Sequence, residues 1–254
     1  MSGLIRAEFR KLFTTQVWFW MLLMCIALTL LGVIGQIAST SSDSELQLHV
    51  RDIVLSAASA FTYVPLFVLG VLSVTTEYRY QTITATVLAT PSRWTLITAK
   101  LITFALVGAL YALSCLIVEL SVALPWLSAR HVQVSLSNQR GTLLAVFAVL
   151  TLFALVGLGA GALLKNQIVA VSVGVIFILV LDRLVVLIPG VKYAYSYLLS
   201  GAVDAIVVAP APQDNRVING VNLLSAGGGV LTLVVWGLGM AVLGAGLTMN
   251  RDIT

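Results

Sequence analysis

Charge is scarce in this chain. Asp, Glu, Lys and Arg together make up 9% of its 254 residues, whereas hydrophobic residues make up 59%. A soluble domain needs more charged side chains to cover its surface, so this composition excludes a soluble globular protein and predicts an integral membrane protein. The excess of basic residues is scattered between apolar runs, which bears on orientation in a bilayer and does not indicate nucleic-acid binding. At this length we expect a single transmembrane domain over residues 1–254.

Signatures of catalysis are missing as well. No GxxxxGK[ST] motif occurs, so the chain lacks a phosphate-binding loop of that kind. Its two histidines, His49 and His131, fall in separate polar segments, and its two cysteines, Cys25 and Cys115, fall inside apolar runs. No cluster of metal ligands or nucleophile with its base is visible. We therefore expect no catalytic site, no metal site and no cofactor bound by this chain.

Long apolar runs separated by polar segments predict an all-α membrane protein with six spans. A helix of about 20 apolar residues crosses the ~30 Å hydrocarbon core of a bilayer. Six spans place both termini on the same side, and the basic residues that precede the first span favour the cytoplasm for that side. The predicted spans are 17–38, 53–74, 100–126, 141–164, 167–188 and 223–249.

The first residues predict an amphipathic helix over 2–15. Apolar residues, among them Phe9, recur there at helical spacing, while Arg6, Arg10 and Lys11 fill the other face. A short basic helix of this kind lies in the plane of the membrane interface and contacts lipid. The alternative is a plain basic flank that only orients the first span.

Three ionisable residues fall inside predicted spans, where burying charge is costly. Glu119 lies about 27 Å along its helix from Leu101, and Arg183 lies about 24 Å along its own from Gln167, so both reach a similar depth. We therefore expect Glu119 to pair with Arg183 and the adjacent Asp182 to face elsewhere. The alternative is that all three lie at the wet interface and merely end their spans.

Small residues recur at four-residue spacing in two of the predicted spans. They are Gly157 and Gly161 in the fourth span, and Gly237 and Ala241 in the sixth. Such pairs let helices approach closely. We expect this contact to form within one chain, with a seam between two copies as the alternative.

A polar segment, 77–100, separates the second predicted span from the third. Val87 and Leu88 are among apolar residues at helical spacing there, and Pro91 ends the pattern because the residue before a proline avoids helical geometry. The segment therefore predicts a short helix over 77–91, a break, and the entry of the next span. A brief amphipathic helix exposed beside a membrane can insert into a groove on a partner protein.

The string EYRYQT…LATPSR…K in this segment resembles the loop between the second and third spans of type-2 ABC transporter permeases. In that family a Glu precedes a Gly-Thr pair, followed by Leu-x-x-Pro, a basic residue and a Lys that opens the third span. Gln81 replaces the usual Gly. The resemblance extends to the amphipathic N-terminal helix and the six spans. The matching residues are Glu77, Thr82, Leu88, Pro91, Arg93 and Lys100.

The resemblance implies a permease subunit in the plasma membrane of a bacterium. Two permeases, identical or different, would assemble with two separate ATP-binding cassette subunits, which would hold the ATP and Mg²⁺ and dock on the 77–91 coupling helix. Their closure would drive export of a drug, peptide or lipid. The alternatives are a stand-alone secondary transporter and a non-transporting membrane anchor or sensor that recruits a cytoplasmic partner through the same segment. A separate alternative for 77–79 is that its charges are only solvated loop charges. The residues expected to couple to the ATPase are Glu77, Arg79, Thr82, Val87, Leu88, Pro91 and Arg93.

Overall fold

The described part of the chain is helical almost throughout, and it contains one short hairpin of strands β1 (Val217–Ile218) and β2 (Val221–Asn222). The all-α prediction is therefore confirmed for the described part of the chain. The computed structural model describes residues 2–40, 42–59, 61–81, 93–132, 134–188, 190–208, 217–218 and 220–249. The helices are α1 (Ser2–Thr14), α2 (Val17–Ser39), α3 (Asp43–Val54), α4 (Ser56–Ser59), α5 (Tyr63–Arg79), α6 (Arg93–Ala129), α7 (Arg140–Leu164), α8 (Gln167–Ile176), α9 (Asp182–Leu184), α10 (Leu199–Val208) and α11 (Ala226–Met249).

Five of the described helical segments are long and apolar enough to cross a bilayer. This number and this length indicate a membrane-embedded protein. The fourth of them is continuous through a π-helical turn at Phe177–Leu181, α9 and a 3₁₀ turn. The five segments are Val17–Ser39, Thr95–Ala129, Arg140–Leu164, Gln167–Leu187 and Ala226–Gly244.

The structure departs most from the sequence prediction at 53–74. In place of one helix over that range, α3 ends at its start, α4 forms a single turn, and α5 begins only at Tyr63 and continues to Arg79. Pro65 fits the late start, because proline lacks an N–H and is best tolerated in the first turn of a helix, although α6 does contain Pro125 in its interior. Phe61, two residues before the start of α5, has a positive φ of 58°, which also interrupts a continuous helix over 53–74. The helix is thus displaced toward Arg79 and is 17 residues long.

The polar segment before this break forms the amphipathic helix α3. Its residues Leu46, Val50 and Ile53 are buried, and they pack with Val33 of α2 and Leu127 of α6. These three residues recur at helical spacing, so a helical pattern is present in a segment that is otherwise polar. The helix covers one end of the α2–α6 pair.

Helix α6 is longer than the span 100–126 that the sequence predicts. Its 37 residues give a length of about 55 Å, well beyond the ~30 Å hydrocarbon core. It therefore extends past the bilayer. Its extra residues lie at both ends, over 93–99 and 127–129.

The core is organised around α7, which packs between α5 and α11. A Cβ on Gly157 would lie 2.0 Å from the carbonyl oxygen of Phe67, and one on Gly161 would lie 2.7 Å from that of Val71. On the other side, a Cβ on Gly237 of α11 would lie 3.3 Å from a backbone oxygen of α7. The small residues thus let helices of the same chain approach backbone to backbone.

Candidate functional site

Four charged side chains from three separate helices meet near the ends of α5 and α6. The ammonium nitrogen of Lys100 lies 2.6 Å from a carboxylate oxygen of Glu8 and 2.8 Å from one of Glu77. The ammonium nitrogen of Lys11 lies 2.8 Å from the other carboxylate oxygen of Glu8 and 2.7 Å from the same oxygen of Glu77. We call these four residues the charge cluster.

The charge cluster is positioned by local features of each helix. Glu8 and Lys11 lie three residues apart, which places them on one face of α1. Glu77 lies in the last turn of α5, which continues to Arg79, and Lys100 lies about two turns into α6. The cluster therefore joins the interface helix to the end of one membrane helix and the beginning of the next.

Most of the charge cluster is buried. Glu8, Glu77 and Lys100 each expose only 5% of their surface, whereas the side chain of Lys11 exposes 45%. Buried charges are tolerated only when they are paired and hydrogen-bonded, and here two carboxylates face two ammonium groups. The cluster is formally neutral, and each ammonium group contacts both carboxylates.

The pKa values of the two α1 members reflect this pairing. Burial alone would raise the pKa of Glu8, but the charges and hydrogen bonds of Lys100 and Lys11 outweigh it and hold the pKa below the usual 4.5. Burial would lower the pKa of Lys11, but its hydrogen bonds to Glu77 and Glu8 outweigh it and hold the pKa above the usual 10.5. Both groups therefore stay charged across the physiological range.

A pH dependence of stability follows from these shifts. The lowered pKa of Glu8 stabilises the folded state above about pH 4.5, and this contribution is lost as the pH falls through the lowered value. The raised pKa of Lys11 stabilises the folded state below about pH 10.5, and this contribution is lost as the pH rises through the raised value. These two groups should therefore add no pH dependence to the thermal unfolding midpoint in detergent between about pH 5 and 10. The acid-side loss should shrink in Glu8→Gln; an unchanged acid limb would contradict the assignment.

The charge cluster flanks the predicted coupling segment. Glu77 is buried in the cluster, so it is not a solvated loop charge. Arg79 is exposed and donates a hydrogen bond of 3.2 Å to the amide oxygen of Gln167. The first helical residue of α6 is Arg93, whose side chain lies outside the described part of the structure. The remaining predicted coupling residues Thr82, Val87, Leu88 and Pro91 lie outside the described residues.

The predicted interface helix is present as α1, and its residues divide between two environments. Phe9 is partly buried against the core, while Arg6 and Arg10 are exposed. Glu8, which the sequence prediction left out of the site, is the buried residue of this helix. Its signal in the sequence is that it is the single acidic residue among the basic ones of α1.

Glu119 does not pair with Arg183, so this prediction is wrong. A carboxylate oxygen of Glu119 accepts hydrogen bonds from the hydroxyl of Ser56 at 2.7 Å and the backbone N–H of Ala57 at 3.2 Å. The guanidinium of Arg183 instead lies 4.0 Å from the carboxylate of Asp204 in α10. Similar depth along two helices does not determine the direction in which each side chain points, and here the two side chains contact different neighbours.

Asp182 also contacts α10. Its carboxylate accepts a hydrogen bond of 2.6 Å from the backbone N–H of Ser200, at the start of that helix. The hydroxyl of Tyr195 donates to the carboxylate of Asp204. Asp182 and Glu119 are both fully buried, so neither lies at a wet interface as the alternative proposed. Together the contacts of Asp182 and Arg183 fasten α10 to the end of the fourth long segment.

The described residues contain no group of three or more His, Cys, Asp or Glu side chains arranged to hold a metal ion. In comparisons with known proteins, no protein-family model matches the chain, and no characterised protein or solved structure is significantly similar to it. Its function must therefore be argued from the residues and the geometry of the charge cluster.

Proposed function

We propose that the chain is the membrane-spanning permease subunit of an ATP-driven exporter of the type-2 ABC class. The observation that carries this proposal is the charge cluster. It joins α1, the end of α5 and the first turns of α6, and these last two flank the segment 82–92 that resembles the family's coupling loop. A partner protein that pushes on this segment would act on three helices, α1, α5 and α6, that the charge cluster holds together.

A coupling element needs a position that both the partner and the transport path can bias. The segment 82–92 meets this need because each of its flanking helices continues into the membrane-embedded core. Both Glu77 and Lys100 contact α1 side chains, so the two flanks are held together by buried ion pairs. Movement of the segment would therefore shift α5 and α6 together.

In this proposal the chain crosses the plasma membrane of a bacterium six times, with both termini in the cytoplasm. Helix α5 is the span that this proposal adds to the five long segments, second in chain order; it is buried along most of its length and packs against α7. The ammonium group of Lys165, after α7, lies 5.9 Å from the ring of Tyr78, so this basic turn is at the same end as the charge cluster. Basic residues concentrated at one end favour the cytoplasmic side for that end.

The complete exporter in this proposal contains two permeases, as a homodimer or heterodimer, and two separate ATP-binding cassette subunits. In this proposal the partner subunits bind ATP and Mg²⁺ and carry out the hydrolysis, so the chain itself needs no catalytic site. Amphipathic or apolar molecules such as drugs, peptides or lipids are the proposed cargo, because the apolar spans carry few charged side chains.

Co-purification with an ATPase tests the proposal. The tagged chain, expressed in its native source and solubilised in mild detergent, should bring down a subunit that hydrolyses ATP. Leu88→Asp should abolish this activity because it places a charge on the apolar face of the coupling segment. Leu48→Asp is the matched control, since Leu48 is 80% exposed on α3, in a separate part of the chain.

The outcomes separate the proposed function from its alternatives. ATPase activity that is retained with Leu48→Asp and lost with Leu88→Asp supports the exporter. If the native chain brings down no ATPase activity, it works alone as a transporter or anchors a different partner. Equal loss in both variants would assign the effect to folding and contradict a specific role of the segment.

A further inference from the structure

A cavity of about 310 Å³ lies beside the charge cluster, between α1, α5 and the start of α8. The junction of α1 and α2 lines it through Thr15 and Val17, so it lies at the level where the interface helix meets the first span. Gln167 closes it from the α8 side. The proposed transport function assigns no role to this cavity.

The cavity is polar at one end and apolar at the other. Its apolar part is lined by Leu69 and Leu72 of α5 and by Phe104 of α6. Arg79 lines its polar part, ten residues beyond Leu69, so the two parts are spread over about 15 Å of α5. Ser73, between these ends, also lines the wall. This gradient matches a molecule with a polar head and an apolar chain.

The charge around the polar end is positive. The carboxylates of Glu8 and Glu77 line the cavity, but both are buried and engaged by Lys11 and Lys100. Lys100 contacts both carboxylates without lining the cavity, so with Lys11 and Arg79 three cations surround two carboxylates, an excess of one positive charge. Lys11 and Arg79 are the exposed members, so they are the cations that a ligand can reach.

Arg79 also has donors to offer a ligand. Its guanidinium gives one hydrogen bond to Gln167, and it lies 5.7 Å from the ring of Tyr80. A guanidinium carries five N–H donors in a planar fork that suits the oxygens of a phosphate. Most of these donors are therefore left for an anionic head group.

We propose that this cavity binds an acidic membrane phospholipid, with its phosphate between Lys11 and Arg79 and one acyl chain along Leu69, Leu72 and Phe104. The volume is at the small end for ligand sites, so it holds the head group and the upper part of one chain. The second chain stays in the bilayer. The bound lipid fills the gap between the interface helix and the spans. This inference does not depend on the transport function.

Lipid titration of the purified, delipidated chain by native mass spectrometry tests the proposal. The probes are phosphatidylglycerol, phosphatidylcholine with the same acyl chains, and inorganic phosphate alone. We expect phosphatidylglycerol to bind most tightly, and Arg79→Gln to weaken it about five-fold, since one basic residue near a lipid surface contributes a factor of roughly this size. Ser73→Trp should block binding by filling the cavity. Arg10→Gln is the matched control, because Arg10 is exposed on α1 and does not line the cavity.

A photoactivatable phosphatidylglycerol gives an independent readout. Its adducts should fall on the peptide that contains Ser73 and Arg79, and they should disappear in Ser73→Trp. Three results would each overturn the proposal: phosphatidylcholine binding as tightly as phosphatidylglycerol, phosphate alone competing equally, or Arg79→Gln behaving like Arg10→Gln. Arg79 is exposed, so its variant remains informative even if Ser73→Trp reduces the yield of folded protein.

Discussion

Replacing Lys100 by methionine should lower the stability of the folded chain by about 3–5 kcal/mol, because removing one partner of a buried ion pair leaves an uncompensated charge. In this variant two carboxylates, Glu8 and Glu77, would remain buried and would share the single cation Lys11. The carboxylate oxygen of Glu8 that contacts Lys100 at 2.6 Å would lose that donor. Unfolding by denaturant titration in detergent measures the change.

A second substitution should restore much of this loss. In Lys100→Met with Glu8→Gln, Glu77 and Lys11 remain as one balanced pair, so the double variant should be more stable than Lys100→Met alone. Lys192→Met is the control for removing a lysine elsewhere, since Lys192 lies outside the charge cluster and near the ring of Tyr193. Additive losses in the double variant would show that Glu8 and Lys100 do not interact.

Adding one methyl group at Gly157 should destabilise the chain as well, even though alanine is the better helix former. A Cβ there would lie 2.0 Å from the carbonyl oxygen of Phe67, so α5 and α7 must move apart. Overpacking of a close contact typically costs about 1–3 kcal/mol. Gly161→Ala, with a nearest distance of 2.7 Å, should cost less. Thermal midpoints in detergent should follow that order.

The matched control for this substitution is Gly239→Ala in α11. Nothing lies within 4 Å of a Cβ at Gly239, so only the helix propensity changes there. Alanine is favoured over glycine in a helix by about 1 kcal/mol, so this variant should be neutral or more stable. A stability loss at Gly239 as large as that at Gly157 would contradict the assigned contact.

Most of the helical architecture could be predicted from the sequence because long runs without charge are strong signals. The helix Arg140–Leu164 lies within one residue of the predicted span 141–164. The region 53–74 could not be placed in the same way, since its apolar residues continue through the break before α5. Only Pro65 marks where that helix must begin, and its position in a first turn depends on chain geometry that hydropathy does not report.

The charge cluster could be predicted from the sequence only in part. Glu77 and Lys100 stand out because they bracket a polar segment between apolar runs. Lys100 contacts Glu8 across 92 residues of sequence, and Glu77 contacts Lys11 across 66, and no local pattern encodes which helix ends meet in space. Hydrophobic periodicity shows which face of α1 is apolar, but the partner of its buried acid depends on tertiary packing.

The place of α7 between α5 and α11 has a consequence for the order of assembly. The chain is made from its N-terminus, so α5 and α7 are available to each other well before α11 exists. The face of α7 that carries Gly159 receives its partner only then, since a Cβ on Gly159 would lie 2.3 Å from the carbonyl oxygen of Gly237. Until then, this face of α7 has lipid or another protein as its neighbour. Completion of the core is therefore the last step of biogenesis for the described helices, and ribosomes that stall before α11 would leave a bundle with one open side.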